Sequence, residues 1–239
     1  MTTMTAMITV ITTMTTTTDL YRLLAWFSPS YPIGAFSYSH GIEQAVETGR
    51  VTDTVSLTGW ISHILRHGAG WVDAVLLKEA YAAADDPVKL NDLADLAAAW
   101  RGSAETALES AQQGGSFLTI TRSAWAHPAL DGFAAARGER QVALCIAVGL
   151  AAASHRLDVA AVLGAYLHAF AANLVSAAVR LIPLGQTDGQ RTLAALLPVV
   201  DSLVPCAVAC SIEDCGTAAP MVDISSMQHE TQYTRLFRS

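Results

Sequence analysis

The chain has 239 residues, enough for one large domain or two small ones. Only 15% are charged against 52% hydrophobic, whereas soluble domains carry about 25% charged residues, so some surface is expected to be buried against other subunits. A net charge of −7 with no basic run argues against nucleic acid and anionic membrane surfaces, and four cysteines are too few for a secreted disulfide scaffold, which points to a reducing, cytoplasmic setting.

Residues 1–18, MTTMTAMITVITTMTTTT, are almost all Thr and Met. They have no basic n-region and no long apolar core, so they do not read as a signal peptide, and disorder is expected. Asp19 caps a short apolar helix, Leu20–Phe27. The segment SPSYPIGAF, residues 28–36, holds two prolines and a glycine and reads as a fixed irregular loop. Ser37 or Ser39 starts a helix over Tyr38–Thr48, with Gly49 as its stop. Glu43 and Glu47 share one face of it, and a solvated face is the expectation. Asp53 begins a helix that runs to His67 and ends at Gly68. Helices follow at Trp71–Ala84, Pro87–Trp100 and Ser103–Ser110. Gln112–Gly115 reads as a break before Ser116–Trp125 and Gly138–Ala153.

The stretch Asp158–Ile182, DVAAVLGAYLHAFAANLVSAAVRLI, is the strongest helix in the chain. Asp158 is a good N-cap, and Pro183 stops the helix. A helix apolar on nearly every side must be buried by other helices or by lipid. Its length would span a bilayer, but it is Ala-rich, carries His168 and Asn173 and lacks flanking basic and aromatic anchors, so no membrane span is expected. At about 100° per residue, Tyr166, Asn173 and Arg180 fall on one stripe. The stripe is either the wet edge of a core helix or a polar seam that meets a partner. Beyond Pro183, Gln190–Val200 and Val204–Cys210 read as helices bent or broken at Pro198 and Pro205. From Gly216 the chain reads as irregular.

Two spacings raise metal binding. His63 and His67 lie at i, i+4, and Cys206 and Cys210 share a helical face with Cys215 nearby. Neither comes with a further ligand motif, and buried cysteines commonly act as small hydrophobes. No phosphate loop, dinucleotide fingerprint or CxxC pair is present, and no stretch outside the leader alternates with period two. The fold class is therefore all-α: a single-domain helical bundle with a central buried helix, over residues 19–226, followed by an irregular C-terminal tail, 227–239.

That tail holds His229, Glu230, Tyr233, Arg235, Leu236, Phe237 and Arg238. Aromatic and arginine side chains of this kind make interface hot spots, or else the tail packs back on its own domain. Because it follows an irregular, Pro-containing segment, it is expected to be mobile in the free protein. Three segments, SPSYPIGAFSYSHGIEQAVETGRV, AANLVSAAVRLIPLGQTDGQ and SMQHETQYTRLFRS, together resemble the UreF family of urease accessory proteins, over about residues 20–239 and in the family's order. The Thr/Met leader and the cysteine cluster are outside that pattern.

The resemblance implies an all-α protein that dimerises through helices and has no cofactor or reaction of its own. It implies binding to UreD (UreH in some organisms) and to the GTPase UreG, with the assembly docking on apo-urease to support nickel insertion. Carried over by position, it implies contact residues Tyr31, Pro32, Gly34, Phe36, Tyr38 and Glu43 in the early segment. It adds the tail residues just named, and Arg180, Pro183, Gly185, Gln186, Asp188 and Gln190 around the central helix. A nickel carrier using His63/His67 or Cys206/Cys210/Cys215 is the alternative. An enzyme using Glu43 with a nearby histidine as acid–base pair ranks third.

Overall fold

The computed structural model describes residues 15–239, and most of the Thr/Met leader lies outside the described residues. Helix α1 (Thr17–Trp26) leads through the 28–36 loop and a 3₁₀ turn, Ala35–Ser37, to the short α2 (Ile42–Glu47). Then come α3 (Thr54–His67), α4 (Ala69–Ala82), α5 (Pro87–Ala99), α6 (Ala104–Ala124), α7 (Pro128–Arg137) and α8 (Leu144–Ser154). The long α9 (Val159–Leu181) and α10 (Gln186–Ala209) follow, then a 3₁₀ turn at Ile212–Asp214, α11 (Pro220–His229) and an extended tail. There is no strand among the described residues, so the bundle is all-α as expected.

Local chemistry sets the helix starts. The Asp53 and Ser103 side chains accept from the backbone three residues on, and Asp86 caps α5 with Pro87 at its first position. Asp158 accepts from the Ala161 amide at 2.9 Å, as its position before α9 predicts. At the first helix the cap is Thr16, and Asp19 returns the bond from inside the helix. The capping box thus starts α1 before residue 19, inside the segment assigned to the leader.

The innermost elements are α8 and α4. Every residue from Cys145 to Ala152 is buried, with α4 packed on one side of α8 and α6 on another. α9 covers α4 and is itself covered by α10, α2 and α3. Although α9 and α10 are each long and apolar enough to cross a bilayer, each lays one buried face on its neighbours; α9 turns His168, Ser176 and Arg180 outward, whereas the outer face of α10 carries Leu197, Val208 and two prolines beside Asp201 and Ser202. They pack as walls of the bundle.

Several helix assignments differ from the sequence reading, beginning with the early helix, which starts at Ile42 behind Gly41 rather than at Tyr38 behind Ser37 or Ser39. α6 runs unbroken through Gln112–Gly115. A Cβ on Gly114 would come within 2.0 Å of the Val142 carbonyl oxygen, so this glycine lets the 142–144 backbone press against the helix. α10 runs through Pro198 and Pro205. The two prolines are seven residues apart, within about 20° of one face, and both are exposed, so the carbonyls they free meet water. Gly138 ends a helix rather than starting one: it has φ +57° and closes α7. Finally, the segment after Gly216 contains α11, with Pro220 at its first position.

Candidate functional site

The tail folds back onto α2 and α6 and is held by three buried carboxylates. Glu43, in the first turn of α2, is only 6% exposed. Its Oε1 accepts from the Leu236 amide at 2.7 Å, and its Oε2 accepts from the Phe237 amide at 2.9 Å and faces His229 Nε2 at 3.0 Å. His229, fully buried, meets Glu105 Oε2 through Nδ1 at 2.7 Å. Carboxylates only accept, so the ring bridges two acids by presenting a nitrogen to each. Arg235 adds a guanidinium to Glu105 at 2.9 Å, and Glu230 accepts from the Ala104 amide at 3.2 Å, at the open N-terminus of α6.

The last residues continue the same latch. Ser239 Oγ donates to Glu109 Oε2 at 3.0 Å, beside His40 Nδ1 at 3.2 Å. The Ser39 amide donates to the Ser239 carbonyl at 2.8 Å, and the Ser39 hydroxyl also reaches it. The Arg238 amide donates to the Ser37 carbonyl at 2.8 Å. Tyr38 Oη and Arg238 both donate to Gln112 Oε1. Burial pushes the Tyr38 hydroxyl above the usual phenol range, offset in part by Arg238. Gly41 precedes α2 with φ +77°, and a Cβ there would sit 3.0 Å from the Ser226 backbone nitrogen, so α11 rests directly on this turn. The tail is therefore seated by buried hydrogen bonds rather than free, which corrects the expectation of mobility.

The α9 stripe resolves into a graded seam. Tyr166 is buried and donates to Asp73 Oδ2 at 2.7 Å. Asn173, half-buried, donates to the Tyr38 carbonyl at 3.3 Å. Arg180 is exposed, donates to the Phe36 carbonyl at 3.1 Å and lies 4.4 Å over the Phe237 ring. Its partial burial draws its pKa below the usual guanidinium value. The seam thus meets the chain's own early loop and tail, with its last member at the surface.

The structure brings Phe36, Tyr38, Glu43, Arg180, His229, Glu230, Arg235, Leu236, Phe237 and Arg238 into one neighbourhood. Tyr31 turns away from it, with its hydroxyl 2.8 Å from Thr121 Oγ1 and its ring on Phe117. Pro32 is exposed, and Gly34 makes a left-handed turn with φ +74°. Gln186, Asp188 and Gln190 open α10, where Asp188 accepts from the Gly185 amide at 3.2 Å and pairs with Arg191 at 2.9 Å. Exposed Pro183 and Gly185 flank that turn. Tyr233 is fully exposed.

Glu43 overturns the expectation of a solvated face, whereas Glu47 keeps it. Sequence reasoning missed Glu105, Glu109 and Gln112. They recur on α6 at i, i+4 and i+7, a polar stripe that an assumed break at Gln112 concealed.

Of the metal candidates, His63 and His67 are both exposed with ring centroids 5.0 Å apart. Cys206 is exposed, and Cys210 and Cys215 are half-buried. Burial pushes the Cys215 thiol up to about 11, with Cys210 adding to the effect. No group of three or more His, Cys, Asp or Glu placed to hold a metal ion occurs among the described residues.

Comparison with known proteins decides the family. The family model UreF matches residues 51–197. The chain belongs to the UreF family of urease accessory proteins. It is 52% identical over 225 residues to the urease accessory protein UreF of Rhodopseudomonas palustris (strain HaA2), covering 92% of this chain and 94% of that one. To the UreF of Granulibacter bethesdensis it is 49% identical over 222 residues, covering 92% and 94%. To that of Bradyrhizobium sp. (strain BTAi1) it is 50% identical over 222 residues, covering 92% of each. The family match ends before the tail latch, but these relatives span most of the chain. A role in urease maturation follows from membership, and the chain is an accessory protein by family.

Proposed function

We propose that this UreF protein is an adaptor without catalysis of its own. In this reading it is a cytoplasmic homodimer that engages a UreD/UreH-like protein and a UreG-like GTPase on apo-urease and supports GTP-dependent nickel insertion. The observation that carries the reading is the exposure of large apolar side chains on a segment that is held in place. Tyr233 is fully exposed, Leu236 is 63% exposed and Phe36 is 68% exposed, while their neighbours Phe237, His229 and Ser239 are buried. A seated segment presents such groups to a partner without the ordering entropy of a free tail. Exposed aromatic and aliphatic groups rimmed by Arg235, Arg238 and Arg180 have the composition of an interface centre.

The test leaves the latch intact. Tyr233→Ala and Leu236→Asp remove surface groups, so the purified variants should keep the parent's thermal melt and self-association. In gel filtration with the UreD/UreH-like and UreG-like proteins of the same operon, the variants should lose co-elution with at least one of them. Co-elution of the double variant with both partners at parental stoichiometry would remove the tail from the docking surface.

A further inference from the structure

Helix α3 ends with two histidines that the tail surface does not use. His63 and His67 are exposed, with ring centroids 5.0 Å apart and planes inclined at 50°. Residues at i and i+4 stand one above the other on a helix, so the backbone itself brings the two rings together. The turn that carries them is fixed in place, because the His67 carbonyl accepts from the Ala218 amide at 2.7 Å and from Thr217 Oγ1 at 3.0 Å. Neither ring is tied to another side chain by a hydrogen bond or ion pair among the described residues. Gly59, one turn earlier on the same stripe, has no atom within 4 Å of where a Cβ would sit, so nothing covers the stripe on that side.

The separation of the rings suits one shared ion. A transition metal sits about 2.0–2.1 Å from an imidazole nitrogen, which places it about 3.2 Å from the ring centroid. Centroids 5.0 Å apart then subtend about 100° at the ion, between the cis positions of an octahedron and the corners of a tetrahedron. Two terms act on the charge of such an ion. The last turn of a helix is the negative end of its dipole and favours a cation, whereas Arg66, also in that turn and exposed, opposes it. No cluster of three or more His, Cys, Asp or Glu closes a cage here among the described residues, so the remaining coordination positions fall to water or to donors from another molecule.

We propose that His63 and His67 form a two-nitrogen chelate for a divalent transition cation on the outside of α3, with its other coordination positions open. The ligand type selects the class of ion: cobalt, nickel, copper and zinc take imidazole, whereas magnesium and calcium require oxygen donors. Two protein ligands in place of the four of a closed site give an exchangeable ion, with a dissociation constant in the range of about 1–100 µM. The proposal does not rest on the adaptor reading.

The experiment is a calorimetric titration of the full chain, free of any affinity tag, with zinc, nickel and magnesium chlorides. Zinc and nickel should each bind at one equivalent per chain, and magnesium should give no saturable binding. His63→Ala and His67→Ala should each weaken binding at least tenfold without changing the melt of the metal-free chain, since both side chains are exposed. The double variant His63→Ala/Arg66→His keeps the number of histidines but places them at i and i+1, where they do not face each other, and should be as weak as His63→Ala. Arg66→Ala should tighten binding by removing the opposing charge. Cys206→Ala/Cys210→Ala/Cys215→Ala should bind as the parent does. Parental binding by either single histidine variant or by the repositioned pair would overturn the proposal. So would binding lost only in the cysteine variant, or no saturable binding below about 1 mM.

Discussion

Two of the sets of charges that the molecule buries are built in opposite ways. In the interior, Asp73 on α4, Arg101 after α5 and Tyr166 on α9 come from elements that the whole core depends on. Burial alone would favour the neutral arginine, but the Asp73 charge outweighs it and holds the guanidinium protonated. The Tyr166 hydroxyl and the Cys145 thiol beside it are pushed well up by burial and by Asp73, so both stay neutral. In the latch, Glu43, Glu105 and Glu109 belong to helices, while several of their partners belong to the tail after α11. The interior charges cannot part without opening the core. The latch charges part if a short segment lifts. Charges of equal burial can thus have very different exchangeability, set by whether their partners belong to the core or to one strap of chain.

The largest expected effect tests the interior set. Arg101→Leu leaves Asp73 buried with only Tyr166 as partner, and breaking one side of a buried pair costs about 3–5 kcal/mol. For a chain of this length that lowers the melting temperature by roughly 10 °C or more. A fall below about 3 °C would mean that the pair is wet and exchangeable, and the contrast with the latch would disappear.

Glu43→Ala should come next. It leaves the Leu236 and Phe237 amides and one nitrogen of His229 without their acceptor, at about 1–3 kcal/mol for each group that stays buried. The tail can instead lift and find water, so the loss in the global melt should stop near 2 kcal/mol. Amide exchange at Leu236 and Phe237 should rise at least tenfold, while the α8 amides keep parental protection. Loss of protection in α8 to the same degree would show that the latch belongs to the core.

The two sets also differ in how far sequence discloses them. Helix α9 was legible because one capping aspartate, one terminal proline and an uninterrupted apolar run agree over two dozen residues. The stripe Tyr166, Asn173, Arg180 was legible too, since it needs only the helical period. What that stripe faces was not, because the partner carbonyls of Phe36 and Tyr38 are more than 130 residues away. The latch failed for a local reason. Gln112–Gly115 has the composition of a break, and only the approach of the 142–144 backbone shows why a helix needs glycine there. With the helix cut at Gln112, that residue was lost to the face that Glu105 and Glu109 still shared, and nothing local in the sequence paired that face with Glu43. Pro198 and Pro205 misled in the same way, since whether a proline breaks a helix depends on which face it occupies.

Arg180→Ala should have a smaller effect than either. It removes an exposed cation over Phe237, worth about 0.5–1 kcal/mol, and a hydrogen bond to the Phe36 carbonyl that water can replace. The melting temperature should fall by less than about 4 °C. Partner co-elution should suffer more than the fold, because the loop and tail lose the group that joins them at the surface. A fall above about 8 °C would make Arg180 part of the core seam that Tyr166 begins.

The smallest expected effect concerns Asp223 on α11, where that helix meets the latch. Burial raises its pKa above the ordinary 3.8, with His40 opposing the shift. A carboxyl raised in the folded state favours folding at low pH, where it is protonated in both states. That contribution is lost as pH rises through the folded pKa, so the window opens just above 3.8. Asp223→Asn stays neutral throughout. It should therefore melt slightly higher than the parent at pH 7, by no more than about 0.5 kcal/mol for a group this exposed, with the gain shrinking as pH falls toward 4. Thermal melts of the two chains between pH 4 and pH 7 measure this directly. A gain that grows on acidification would reverse the sign and show that the Asp223 carboxylate is stabilised by a charge of the latch, such as His40.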